Sequence, residues 1–375
     1  TEVTKEMKGP AWTAEAKVMI TQMFEPYCAQ TLRFLKKDCT AVVPQMETSC
    51  VNSLLRLLDE TLTAAMLADE KKLETAFIFC AVWAFGSALG LGDDGTDYKK
   101  VFSDWWKRQF RKVAFPQKDS VFDYWLNPEE LEFYPWMESP AFQEITFDSR
   151  TQSMSEVTVP TGETASVSFW MNQLMLSGHA IMLAGLSGTG KTQGIKGQLG
   201  SLNKEEMMFT IINMNFYTSG SVLQSILELP LQKKTGSLFG PPGAARMVYF
   251  VDDLNLPEVD KYNTQSGIAL IRQHIDYTHW YDQVKLTLKT VEKCQYITGM
   301  NPKAGSGVVN PRLQRHMTTF AIAMPNASSL MTIYKTFLGG HFAGGFIAEI
   351  GELVESLVKA TLVVHKEVTE SFRKT

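Results

Sequence analysis

Residues 185–192 read Gly-Leu-Ser-Gly-Thr-Gly-Lys-Thr, and no other stretch constrains the fold of this chain so tightly. The pattern Gly-x-x-x-x-Gly-Lys-Thr is a loop whose backbone N–H groups converge on a phosphate, and it works between a strand and a helix. Both neighbours can be read here. The apolar run Ala-Ile-Met-Leu-Ala at 180–184 precedes the loop, and a segment of helical character comes after it. Gly185, Gly188 and Gly190 let the backbone wrap an anion without a Cβ in the way, and Leu186, Ser187 and Thr189 complete the cradle. Lys191 is placed to reach the β- and γ-phosphates, and the Thr192 hydroxyl to complete the shell of a Mg2+ ion.

Such a loop needs a carboxylate at the end of a neighbouring strand. Residues 247–253, Met-Val-Tyr-Phe-Val-Asp-Asp, supply five apolar residues and then two acids. Asp252 is the candidate Mg2+ ligand, acting through water, and Asp253 the candidate that orients the attacking water. Residues 296–302, Tyr-Ile-Thr-Gly-Met-Asn-Pro, form another strand candidate. Its Asn301 either polarises the attacking water or touches the γ-phosphate, or else belongs to a simple Asn-Pro turn. At 310–316 the run Asn-Pro-Arg-Leu-Gln-Arg-His places Arg312 and Arg315 three apart. Arginines so spaced share a helix face, where they serve either as phosphoryl-transfer fingers or as surface ion-pair partners.

Apolar strand candidates at 181–184, 209–214, 247–251, 295–299 and 318–323 alternate with helical or loop segments, as in a parallel sheet with crossover helices. Residues 1–112 read as mostly helical, with Leu54, Leu55, Leu57, Leu58, Leu62 and Met66 at helical spacing and Pro26, Pro44 and the run 92–97 as punctuation. Twelve aromatic residues crowd 101–142, a density suited to packing between two units. From 326 onward the pattern is helical again, with Ile347, Ile350, Leu353, Leu357, Leu362 and Val364 as apolar positions.

The remaining numbers mainly exclude. A net charge of −4 offers no basic field for a nucleic-acid backbone. Five scattered cysteines without a Cys-x-x-Cys pair argue against zinc and against a disulfide framework, and favour a reducing interior. The uncharged run 76–92 is short for a bilayer crossing and follows a charged helical lead-in, so a buried helix is expected and no membrane span. The first ten residues hold no signal-peptide pattern and no initiator Met, as expected of a piece of a larger chain.

Taken together, GLSGTGKT, GPPGAARMVYFVDDLNLPEVDKYNTQ, LIRQHIDYTHWYD and GMNPKAGSGVVNPRLQRH resemble a dynein heavy chain of the axonemal branch, at the third AAA+ module of its motor ring. AFIFCAVWAFGSALG and the aromatic run after it look like the join to the second module, so the resemblance covers essentially the whole chain. It implies a P-loop AAA+ core with a five-stranded parallel sheet and flanking helices. It further implies that 1–112 are the helical lid of the second module, 113–325 the α/β large subdomain of the third, and 326–375 the incomplete start of that module's lid. Val157, Val159, Pro160 and Thr161 would lie beside the adenine, and residues 239–243 in an inserted hairpin. Arg312 and Arg315 would serve in trans, toward the nucleotide of the preceding module.

The implied activity is that of an ATPase within a microtubule motor, the third module binding ATP or ADP with Mg2+ and regulating microtubule release. Neighbouring modules of the same heavy chain are the implied partners. Microtubules, intermediate chains and light chains would be met through the parent chain, and the setting would be the cytoplasm, cytoskeleton and ciliary or flagellar axoneme. No heptad-patterned hairpin is present to form a microtubule-binding stalk. One departure matters: AAA+ ATPases carry Asp-Glu at the strand end, whereas this chain has Asp252-Asp253. The shorter acid implies slow turnover. The lid arginine and the next module's finger are expected beyond these residues, so the chain by itself is expected to be nearly inactive. A nucleotide-binding but non-hydrolysing structural element is the alternative.

Overall fold

A computed structural model describes residues 13–154, 157–305 and 308–372. Its first part is helical: α1 (Ala14–Met23), α2 (Gln30–Asp38), α3 (Glu47–Thr61), α4 (Ala64–Leu67), α5 (Glu70–Gly86) and α6 (Tyr98–Gln109). Pro26 does not break this block as expected. Residues 24–29 continue α1 into α2 as a widened π turn, which absorbs a residue lacking its N–H. The leucine run does break: α3 stops at Thr61, and Thr63 caps a new turn that carries Met66. Leu54, Leu57 and Leu58 are buried as the periodicity requires, while Leu55 faces out.

Helix α5 is apolar all round because it is buried all round. Asp69 caps its first turn, accepting from the Lys71 and Lys72 amides, and the helix ends at Gly86 although the apolar run continues to 92. A Cβ on Gly86 would overlap the Phe122 ring, so the chain turns there on a residue without one. No helix among the described residues is long and apolar enough to cross a membrane.

The aromatic run packs as expected and also forms a hairpin that the sequence did not announce, β1 (Tyr124–Leu126) against β2 (Phe133–Pro135). Trp83 meets Phe122 and Trp136 edge-on at centroid distances of 5.5 and 5.9 Å, and Phe79 stacks on Trp170 of α7 (Gly162–Leu176) at 5.4 Å. These rings join the helical block to the sheet-forming half of the chain.

The α/β core contains β3 (Ala180–Ala184), α8 (Lys191–Gly200), β4 (Met207–Asn213), α9 (Gly220–Glu228), β5 (Gln232–Lys233), β6 (Leu238–Gly240) and β7 (Arg246–Asp252). It continues with α10 (Ser266–Tyr277), β8 (His279–Tyr281), β9 (Leu288–Val291), β10 (Cys294–Met300), α11 (Pro311–Gln314) and β11 (Met317–Ala321). The central sheet has the order β11-β3-β10-β7-β4, all parallel, so the five expected strands are all present. A period of two divides their side chains between two cores. Ile181, Leu183, Val248, Phe250 and Ile297 face the helical block, α7 and α8, while Met182, Tyr249, Val251, Tyr296 and Met300 face α9, α10 and Trp280.

Edge strand β11 is covered by the helical block. Its Ala321 amide donates to the Ser87 carbonyl at 2.7 Å, and the Ser87 hydroxyl donates to the Thr319 carbonyl at 2.7 Å. Strands β5, β6, β9 and β8 form a second sheet from separate pieces of chain. Residues 239–243 leave β6 in a turn that leads into β7, with no helix behind them to receive a phosphate.

Helices α12 (Ala327–Phe342), α13 (Ala348–Glu352) and α14 (Val354–Ser371) close the described chain. The apolar positions of this stretch are largely open, with Ile347 at 66% and Val364 at 61% exposure, while Ser329 of α12 and Val358 of α14 are buried. The segment before α7 holds α12 in place. Phe147 meets Phe337 edge-on at 4.9 Å, and Arg150 donates to the Gly344 carbonyl.

Candidate nucleotide-binding site

The loop 185–190 lies at the carboxyl end of β3, next to β10 and β11, and opens directly into α8. Gly188 and Gly190 adopt φ of +82° and +85°, which side chains with a Cβ rarely tolerate, and Gly190 stands at the N-cap of α8. Gly185 is required for a different reason: a Cβ there would overlap the Ile322 carbonyl oxygen just past β11. The Gly185 amide donates to the Met300 carbonyl at 3.1 Å, tying the loop to the end of β10. Thr189 is buried and its hydroxyl donates to the Leu186 carbonyl at 2.9 Å, closing the loop on itself. Leu186 and Ser187 lie on the exposed rim.

Lys191 Nζ donates to the Gly185 and Leu186 carbonyls, each at 2.7 Å, and approaches the Thr189 hydroxyl at 3.3 Å. Burial lowers the pKa of this half-buried lysine, and the negative charges of Asp252 and Asp253 pull the other way. Thr192 Oγ1 donates to Asp252 Oδ2 at 2.8 Å, so a hydroxyl and a carboxylate meet at the loop, as a Mg2+ site requires. Asp252 comes from the last residue of β7, opposite Asn213 of β4. Gly299 on β10 leaves room for it: a Cβ there would stand 2.7 Å from Asp252 Oδ1.

Asp253 comes next with φ at +56°, a left-handed conformation that Asp tolerates better than most residues. Burial and then the Asp252 charge raise its pKa, with Lys191 opposing. Asn301 lies one strand away, just past β10. Its side-chain oxygen accepts from the Lys303 amide at 3.1 Å, so it makes the turn contact as well as standing at the site. Lys191, Thr192, Asp252, Asp253 and Asn301 are thus gathered at one end of the sheet by three neighbouring strands.

Arg312 and Arg315 are not gathered there. They flank the amino end of β11, at the opposite end of the sheet. Arg315 donates to Asp276 at 3.1 Å, beside a His316–Asp276 contact of 2.8 Å, and Arg312 is exposed. The expected shared helix face is a single turn, with Arg315 at its C-cap.

In the segment expected beside the adenine, Val159 and Thr161 are buried, while Val157 and Pro160 are half-buried. The Thr161 hydroxyl accepts from the Thr164 amide at 3.2 Å and caps α7, so it is committed to the helix. Thr158, which the sequence motifs did not single out, carries a buried hydroxyl with no hydrogen-bond partner among the described residues. It lies across from Gly197 of α8, where a Cβ would stand 3.6 Å away. An orphaned polar atom between this segment and the phosphate-loop helix fits a base-binding pocket. A threonine in a Val-Thr-Val run gave no such signal in the sequence.

Two more residues emerge only from the structure. Asn255, 1% exposed, donates from Nδ2 to the Asn301 carbonyl at 2.9 Å and to the Ala304 carbonyl at 2.5 Å. Gln265, also buried, donates to the Asn255 and Pro257 carbonyls at 3.3 and 2.6 Å. In sequence both look like ordinary turn residues.

The glycine-lined loop at a ten-residue helix, the lysine and the hydroxyl–carboxylate pair suit a Mg2+-bound nucleoside triphosphate. Comparison with known proteins agrees. A family described as "P-loop containing dynein motor region" matches residues 146–325, and one described as "Dynein heavy chain AAA lid domain" matches residues 20–138. The chain is 39% identical over 360 residues to the flagellar outer arm dynein alpha chain of Chlamydomonas reinhardtii, covering 95% of this chain. It is 40% identical to the ciliary dynein beta chain of Tripneustes gratilla over 360 residues, and 38% identical to dynein axonemal heavy chain 9 of Homo sapiens over the same length, each alignment covering 95% of this chain. It spans about 8% of the length of each of these relatives.

Proposed function

This chain belongs to the dynein heavy chain family, and from that premise we propose that it is the ATP-binding, slowly hydrolysing third AAA+ module of an axonemal motor ring. The observation that carries the reading is the 2.8 Å contact between Thr192, in the first turn of α8, and Asp252, at the end of β7, beside Lys191. On this reading 1–112 are the lid of the second module, 113–325 the large subdomain of the third and 326–375 the start of its lid. The loop 185–192 holds the phosphates. Thr192 and Asp252 hold Mg2+, which when bound would neutralise charge on the transferred phosphoryl group. Asp253 and Asn301 orient the attacking water, and residues 157–161 receive the base.

Slow turnover follows from Asp253, whose carboxylate is one methylene shorter than the usual Glu and so stands back by about an ångström, a displacement that can cost ~10²-fold. Arg312 and Arg315, at the far end of the sheet, would serve the preceding module's nucleotide. Fingers for this site would come from the next module, and an arginine finger contributes about 10³–10⁵ in rate. Microtubules, intermediate chains and light chains would be met through the whole heavy chain in the ciliary or flagellar axoneme, as the names of the relatives suggest.

A second reading, ATP as a structural ligand without hydrolysis, draws support from the joint between β11 and Ser87. The loop strand β3 is thereby one strand away from the helical block, and a ligand could stiffen the two together. Calorimetric titration of ADP and ATP with Mg2+ into the chain, beside Lys191→Ala, tests the shared premise. Micromolar binding that disappears in the variant is expected. Absence of binding by the native chain would refute a working phosphate cradle in these residues.

A further inference from the structure

Asp253 and Asn301 sit on different loops, and their separation sets where an attacking water could be held. Several contacts tie those loops together. The Leu254 amide donates to the Gly299 carbonyl at 3.0 Å, continuing the strand pairing one step past β7. Two residues after Asp253, Asn255 turns inward and its amide group bridges the carbonyls of Asn301 and Ala304. The Asn301 carbonyl also accepts from the Ala304 amide at 3.1 Å, so this oxygen is the fixed point of the turn carrying the Asn301 side chain. Gln265 holds the Asn255 carbonyl from the other side. Gly305, at φ +60°, packs so closely that a Cβ would stand 2.6 Å from that same carbonyl. Asn255 is therefore gripped on three sides, and a residue 1% exposed is too enclosed to meet a nucleotide in this conformation.

We propose that Asn255 is a positioning residue for the nucleotide site, a buried clamp that fixes the loop of Asp253 against the loop of Asn301. The inference rests on the nucleotide-site reading above. Its chemistry is specific: the bridge needs two N–H donors on one short planar group, which Asn supplies, whereas Asp or Ser cannot donate both. Removing it takes the side-chain donor from the Ala304 carbonyl, leaves the Asn301 carbonyl with the Ala304 amide, and frees the turn to drift. The phosphate loop, held by Gly185–Met300 and Thr192–Asp252, does not depend on it.

The test uses the full chain with Asn255→Ala, in four measurements. Thermal melting establishes folding, calorimetry gives the Kd for Mg·ATP, and single turnover of radiolabelled ATP at excess protein gives the chemical rate. Amide hydrogen exchange over residues 300–305 reads the clamp without reference to activity. The expected result is a Kd within about twofold of native, at least tenfold slower hydrolysis, and at least tenfold faster exchange at 300–305 with β7 and β10 unchanged. Gln265→Ala, which loosens the same clamp from behind, should move the rate and the exchange in the same direction by less.

Native rate and exchange in a folded Asn255→Ala would overturn the inference and leave the nucleotide site standing. So would a loss of affinity as large as the loss of rate, or a failure of both variants to fold, since either marks a purely structural residue. Where the native chain binds without measurable turnover, as a missing arginine finger allows, the exchange decides: at least tenfold faster exchange at 300–305 in Asn255→Ala supports the clamp, and native exchange overturns it. No binding at all by the native chain would remove the nucleotide reading itself.

Discussion

Asp253→Glu tests whether the length of one side chain sets the speed of this site. Two effects of the substitution can be separated on the structure. The backbone at 253 is left-handed, φ +56°, where Asp is tolerated and Glu is not helped by a short polar side chain. That change costs about 1 kcal/mol, which for a chain of this size lowers Tm by about 2 °C. Against it, the added methylene advances the carboxylate by about an ångström toward the place where the water must be held, and recovering that displacement is worth up to ~10²-fold. The rate effect, ~2.7 kcal/mol on the barrier, exceeds the backbone cost and acts on a different observable. Single-turnover hydrolysis at excess protein should therefore rise 10- to 100-fold (order of magnitude) while the melting temperature falls slightly. Calorimetry should show Mg·ATP affinity close to native, because Asp253 does not touch the phosphate loop. An unchanged rate in a folded, ATP-binding variant would refute the argument, and the short acid would then not be what slows the site.

Two other substitutions probe separate parts of the molecule. Gly340→Ala would drive a Cβ into the Phe147 carbonyl, so α12 should part from the segment before α7. Hydrogen exchange in α12–α14 should then rise several-fold while the central sheet keeps its protection, and equal protection in both proteins would contradict the contact. His179 is held neutral by burial and by the nearby Arg56 and Arg246 charges, its pKa lowered from 6.5 to about 4. A depressed folded pKa means that the unfolded chain binds more protons between those values, so this contribution is present above pH 6.5 and lost as pH falls toward 4. Urea unfolding of His179→Gln should lose less stability across that window than the native chain, and parallel losses would remove His179 as a source.

How much of the fold and site was legible beforehand differs from one element to the next. Residues 185–192 announce a strand–loop–helix because the need for glycine at φ +82° and +85°, and for lysine at a helix start, is local. Strands β3, β7, β10 and β11 are readable because each is a largely apolar run buried on both faces, and β4 because its run is apolar although this edge strand is only partly buried, with Ile211 exposed. Asp252 was findable as the first acid after such a run. Pro26 misled because a proline can be absorbed by a π turn when both flanking helices are held by packing. The apolar positions of α12–α14 announced helix, which forms, but periodicity does not say whether anything covers such a face.

By itself the sequence determined the class of fold, the phosphate loop, the carboxylate pair and the family, since each rests on neighbours within about ten positions or on a chain of such motifs. Only the tertiary structure decided the rest. It set Asp253 in a left-handed backbone, engaged Arg315 with Asp276, left the Thr158 hydroxyl orphaned beside α8 and turned Asn255 into a bridge to Asn301. It also built a second sheet from β5, β6, β8 and β9, and covered β11 with Ser87 from more than two hundred residues away. The physical reason is common to all of these. Each is a contact between segments that meet only once the parallel sheet has ordered its strands, and the partners are one or two polar atoms apiece, too few to leave a pattern along the chain.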